Sequence, residues 1–193
     1  MSTTTLIVVV VVAVILLLVL FFASRRRATQ RSEGQRERSR EEFGSEYERT
    51  VEERGSEEEA ERELRERRGR VERQIEPLSE EGRGRLEEQW GEVERVFVDN
   101  PEGSIEMADR TVSDLLSERN FVSDAGQSGE ETERSLAVMH PDVADDYREA
   151  RRIRAEVVAR SAGGSEEASE ESTEELRQAI RKYRAVYQRL TQE

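Results

Sequence analysis

Residues 79–116 read SEEGRGRLEEQWGEVERVFVDNPEGSIEMADRTVSDLL, and this stretch decides the fold class. Ser79 is a helix-capping residue type, and Glu80 and Glu81 follow where acids oppose the positive end of a helix dipole. Leu86, Trp90, Val93 and Phe97 then recur every three or four residues, the mark of a helix with one apolar face. Asp99-Asn100-Pro101-Glu102 stops that helix and starts another, because Pro suits the first helical position and Asn or Asp the cap before it. Ile105, Ala108, Val112, Leu115 and Leu116 give the second helix its buried face, which ends near Asn120. Two amphipathic helices joined by a tight corner must bury their stripes against further helices, which predicts a bundle.

The same period continues on both sides. Phe43, Tyr47 and Val51 are four apart, and Ala60, Leu64, Val71, Ile75 and Leu78 extend the stripe past a break at Gly55. Glu and Arg residues between them suit i,i+4 pairing, and Pro77 closes the segment. One long helix is expected over Phe43–Ile75, with a coiled-coil-like extension beyond the bundle, although its heptads are imperfect. Downstream, Ser123–Glu131 reads as a loop around Gly126 and Gly129, followed by a short segment holding Leu136, Val138 and Met139. His140-Pro141-Asp142 starts a helix with Val143, Tyr147, Ile153 and Val157 inward, closed by Gly163-Gly164. Ser165–Glu171 reads as a linker, and Ser172-Thr173-Glu174-Glu175 has the capping-box form ahead of Leu176, Ile180, Tyr183, Tyr187 and Leu190. No long alternation of period two occurs. The expected fold is all-α, an acidic antiparallel bundle of about five helices over residues 41–193, with Leu86, Trp90, Val93, Phe97, Tyr147 and Tyr183 in its core.

Ahead of the bundle, Leu6 to Ala23 form an unbroken apolar run of eighteen residues, all Leu, Ile, Val or Phe except Ala13 and Ala23. At helical rise it spans ~27 Å against a hydrocarbon core of ~30 Å. Its summed insertion preference is roughly 5–10 kcal/mol. A cleaved signal peptide needs a basic n-region and a small-residue cleavage site. Met-Ser-Thr-Thr-Thr is not basic, and Arg25, Arg26 and Arg27 crowd the only cleavage context. The run therefore predicts an uncleaved transmembrane helix. The arginines after it place the C-terminal side in the cytoplasm by the positive-inside rule and can touch anionic headgroups. The expected layout is a short tail over 1–5, a span over 6–23, a charged juxtamembrane linker or frayed helix over 24–40 and the bundle beyond.

The chain carries 31 Lys+Arg and 44 Asp+Glu. Beyond Arg27 the balance is 28 basic to 44 acidic residues, a net charge of −16. Such a domain repels nucleic acid and does not bind broadly to an anionic bilayer. Cysteine is absent, which excludes disulfides, thiolate metal sites and a Cys nucleophile. Lys182 is the only lysine, an arginine bias that fits a GC-rich, actinobacterial genome.

Candidate chemistry is sparse. His140 is the only histidine and has Asp142, Asp145 and Asp146 near it, a grouping that could ligate a metal or act as a base. A helix start explains the same acids, and no second histidine supports a metal. Trp90 and Phe97 could line a pocket, but their spacing is that of core residues. Tyr183 and Tyr187 lie one turn apart and read as core with polar tips. The run Glu166, Glu167, Glu170, Glu171, Glu174 and Glu175 reads as a solvated linker entering a helix. Gly82-Arg83-Gly84 lacks the length of a phosphate-binding loop. No catalytic residue, cofactor-binding residue or metal ligand is assigned.

An ordered set of motifs carries a resemblance. The N-terminal anchor with its arginines is followed by Tyr47-Glu48-Arg49-Thr50-Val51-Glu52-Glu53, Ile75-Glu76-Pro77-Leu78-Ser79, Trp90-Gly91-Glu92-Val93, Phe97-Val98-Asp99-Asn100-Pro101, His140-Pro141 and Tyr147-Arg148. Over most of its length the chain resembles a family of single-pass actinobacterial proteins of unknown function, labelled "membrane" or "secreted". The resemblance implies no activity, cofactor or catalytic residue. Arg119-Asn120-Phe121-Val122 departs from the Arg-Gly-Tyr-Pro usual in the family at that turn.

Taken together, the sequence predicts a membrane-tethered, non-enzymatic interaction or scaffold module facing the cytoplasm. Recognition is expected through the stripe of Phe43, Tyr47 and Leu64, by helix-in-groove docking or by pairing with a second copy of the chain. The alternatives are a ligand-binding or enzymatic helical module with a pocket beside Trp90 and Tyr147, and an extracytoplasmic domain of the envelope.

Overall fold

The computed structural model describes residues 34–121, 129–162 and 170–192, and every regular element among them is an α-helix. The chain divides into two compact units, Met1–Glu42 and Phe43–Glu193. In the first unit the described residues are helical, part of a helix over 34–43 (α1). Residues 34–40 are thus helical, one of the two forms expected for the juxtamembrane stretch. Leu6–Ala23, Arg25, Arg26 and Arg27 lie outside the described residues. No described helix is long and apolar enough to cross a membrane.

The second unit holds α2 (Ser45–Arg54), α3 (Glu57–Gln74), α4 (Glu80–Asp99), α5 (Pro101–Glu118), α6 (Gly129–Met139), α7 (Pro141–Ala162) and α8 (Glu170–Thr191). The single long helix expected over Phe43–Ile75 is two helices that pack on each other. Gly55 ends α2 in the left-handed region at φ 69°, and its N–H bonds back to the Val51 carbonyl. Ser56 then caps α3 by accepting from the Glu59 N–H. A glycine adopts that turn without the Cβ penalty, so the break in the stripe becomes a reversal. The expected coiled-coil extension is absent for the same reason. The segment around Leu136 is likewise a full helix, α6. The Ser172 capping signal falls inside α8, which begins at Glu170.

The quoted stretch folds as its residues dictate. Ser79 accepts from the Gly82 N–H at 3.0 Å, and Asn100 from the Gly103 N–H at 2.9 Å with Pro101 in the first turn. Each cap is worth about 1 kcal/mol. Asn120 takes the left-handed conformation after α5, and the Phe121 N–H reaches the Leu116 carbonyl at 2.9 Å, closing that helix in a Schellman motif.

Helices α4, α5, α7 and α8 form one bundle, and α2, α3 and α6 make a second group on α7. Within the first bundle α4 and α7 run antiparallel to their neighbours, whereas α5 and α8 are parallel. Tyr183 of α8 meets Asp109 of α5, and further along both helices Arg119 meets the Leu190 carbonyl. A single apolar core runs through both groups. It holds Leu86, Trp90, Val93, Tyr147 and Tyr183, with Phe97 partly buried at its edge.

Candidate functional site

Helices α5, α7 and α8 share a polar seam. The Tyr183 hydroxyl donates to Asp109 Oδ1 at 2.9 Å. The Tyr147 and Ser113 hydroxyl oxygens lie 3.4 Å apart, and the two tyrosine rings meet edge-to-face. The Arg151 guanidinium lies over the Tyr147 ring and donates to Glu133 of α6 at 2.6 Å. Burial pushes both phenols above their ordinary value of 10.0, and the Asp109 carboxylate adds to the shift at Tyr183. Both therefore stay protonated across the neutral range. Their hydroxyls link α8 and α7 to α5.

Along α5 toward its N-terminus the seam opens into a pocket of about 330 Å³. Its apolar wall is Ile105 of α5, Val157 and Val158 of α7, and Leu176 of α8. Its polar wall is Glu102 and Glu106 on α5 and Arg154 on α7. Arg154 meets Asp109 and Glu106 only at 3.7 and 3.9 Å, and its buried Nε has no hydrogen-bond partner. Val158 is 45% exposed, and Val98, two residues before the Asn100 corner of the same pocket, is 80% exposed. These are the large hydrophobic side chains most open to solvent among the described residues. The volume is at the small end of ligand pockets. It suits one aromatic or branched side chain with a charged group beside it.

A second charged centre lies between α2, α3 and α7. Glu46 is 1% exposed, and Arg49, Arg67 and Arg148 converge on its carboxylate at 2.6, 3.2 and 3.8 Å. Arg67 also donates to Glu63 at 2.7 Å, and Arg148 to Asp145 at 2.7 Å. The Glu63 carboxyl is held below its ordinary value of 4.5, first by its hydrogen bond from Arg54. This centre is closed by its own side chains, and its chemistry is structural.

Phe43, Tyr47 and Leu64, expected as a partner-facing stripe, are 0–1% exposed inside the core. The packing of α2 against α3 and α6 covers them. Trp90 stacks on Tyr187 with ring centroids 4.8 Å apart, and its indole N–H donates to Glu94. Trp90 and Tyr147, beside which a pocket was expected, are both buried in ring contacts, Trp90 with Tyr187 and Tyr147 with Tyr183. His140 joins α6 to α7, with its ring 6.1 Å from Phe121. No group of three metal-ligating side chains occurs among the described residues. Glu174 pairs with Arg177 and Arg181, and Glu175 with Arg160. Glu166 and Glu167 lie outside the described residues. Asn100 acts as a helix cap, and Gly82 lies where a side chain would collide with the Glu118 carboxylate.

Sequence reasoning missed Arg154, Glu106 and Val158. One signal was available: with Val157 inward on a helix, Val158 must point about 100° away, so an apolar residue sits on a solvent face.

Comparison with protein families, curated proteins and solved structures finds no match to the chain. The family resemblance therefore rests on the ordered motifs alone.

Proposed function

We propose that the protein is a membrane-tethered, non-enzymatic helical module that recruits a protein partner at the cytoplasmic face. The observation that carries this reading is the run Leu6–Ala23 followed by Arg25–Arg27. A net charge of −16 beyond those arginines supports a tether: without it the domain would avoid an anionic bilayer. Confinement to a surface raises the effective concentration of the module for membrane-bound partners. The arginine-rich composition and the motif set support an actinobacterial origin within the single-pass family described above.

Membrane fractionation with alkaline carbonate, combined with protease added outside intact cells, tests the reading. The full-length chain stays in the pellet and is protected if the reading holds. Release into the supernatant defeats the tether, and digestion from outside reverses the topology and favours an envelope domain. The pocket on α5, α7 and α8 favours a second reading, a ligand-binding module. A saturable rise in melting temperature with a small metabolite supports that alternative.

A further inference from the structure

We propose that the pocket formed by α5, α7 and α8 is the docking site for a basic protein segment that inserts one aromatic or branched side chain. The proposal rests on the interaction reading above and gives it a surface. Three features converge at one end of the bundle. The first is the concavity itself, walled by Ile105, Val157, Val158 and Leu176. The second is exposure: Val158 is 45% exposed on that wall, and Val98, 80% exposed, stands two residues before Asn100 of the lining. Val98 adjoins the α4–α5 corner and Val158 lines the wall.

Charge selects the occupant. The lining carries two carboxylates, Glu102 and Glu106, and one guanidinium, Arg154. Glu106 forms only long ion pairs, at 3.7 Å to Arg110 and 3.9 Å to Arg154, and its side chain is 43% exposed, so a donor from outside has room to approach it. The chain beyond Arg27 carries a net charge of −16, which steers cationic partners to the surface and repels acidic ones. The apolar wall supplies the anchor, and the acidic rim supplies the sign. Arg or Lys near an aromatic or aliphatic residue is the complementary pattern.

Random dodecapeptides displayed on phage, selected against the full-length protein in detergent micelles, test the proposal. The expected enrichment is for sequences that set an aromatic or branched residue within a few positions of Arg or Lys. Val158→Glu should cut retention of the enriched phage by about tenfold or more, as loss of an anchoring contact does. Glu106→Arg should do the same through charge, while Glu72→Arg, exposed on α3 outside the three pocket helices, should leave retention unchanged. Both test sites are surface-accessible, and thermal melts confirm folding of each variant. Acidic enriched sequences, no enrichment, or enrichment indifferent to Val158→Glu and Glu106→Arg would each overturn the proposal. A small metabolite whose stabilisation is abolished by Val158→Glu would also overturn it, assigning the pocket to a ligand. The selection makes no use of the bilayer, so its failure is distinct from failure of the tether, which fractionation reads separately.

Discussion

Glu46→Gln removes one charge from the most buried carboxylate among the described residues while keeping its shape. Three arginines lose an ionised partner, at 2.6, 3.2 and 3.8 Å. Breaking a buried ion pair by deleting one partner typically destabilises by ~3–5 kcal/mol, because the other charge stays buried. Here the loss is moderated. Arg67, 7% exposed at its side chain, keeps Glu63, and Arg148 keeps Asp145. Arg49 is 30% exposed at its side chain and reaches water. The expected loss is therefore about 3 kcal/mol, the lower end of that range. Urea unfolding of the full-length chain in micelles, followed by helical circular dichroism, measures it as a lower midpoint. Glu92→Gln is the control: it breaks the exposed Arg95 pair, which water screens, and should leave the midpoint nearly unchanged. A second arm, Glu46→Gln with Arg67→Met, should recover part of the loss, because the stranded charge is gone. A loss at Glu46 no larger than at Glu92 would refute the reasoning, and so would a double variant as unstable as the sum of the singles.

Three other outcomes follow from particular contacts. Gly44→Ala should lower the urea midpoint by the equivalent of about 1–3 kcal/mol, because Gly44 has φ 53° and a Cβ there would lie 3.0 Å from Pro141 Cβ; an unchanged midpoint would contradict this. Trp90→Ala should destabilise by about 3–5 kcal/mol by emptying the site stacked on Tyr187, whereas Trp90→Phe should cost about half as much or less. Stability should fall as pH rises above 10.0, since Tyr147 and Tyr183 hold their protons in the fold while the unfolded chain releases them. The contribution is fully present below that pH, so urea midpoints measured from about pH 8 to pH 11 should be level at first and then drop. Tyr183→Phe should make the drop shallower, and a midpoint that stays level to the end contradicts the assignment.

Much of the α4–α8 bundle was legible because its signals are local. Ser79, Asn100 and Pro101 act within one turn of themselves, and a cap does not depend on what the helix packs against. Leu86, Trp90 and Val93 repeat at the helical period, so their burial follows from any bundle. The candidate site was not legible. Ile105, Val157 and Leu176 were expected inward, and they are, but a pocket arises only where three helices diverge. Arg154 and Glu106 carry no sequence signal that separates them from the other charged residues, because looseness of contact is a property of distances.

By itself the sequence determined that the chain is helical, where several helices begin, that the region beyond Arg27 is acidic, and that an apolar run of eighteen residues precedes it. Those statements depend on side-chain type and on spacing along one helix. The tertiary structure decided what each apolar stripe meets. Phe43, Tyr47 and Leu64 show the same periodicity whether they face a partner or a core, since the hydrophobic effect is non-directional. A left-handed turn at Gly55 settled the matter by folding α2 back on α3. The same assembly left Val158 half-exposed on the wall of a pocket, a placement set by where three helices meet and not by spacing along one of them.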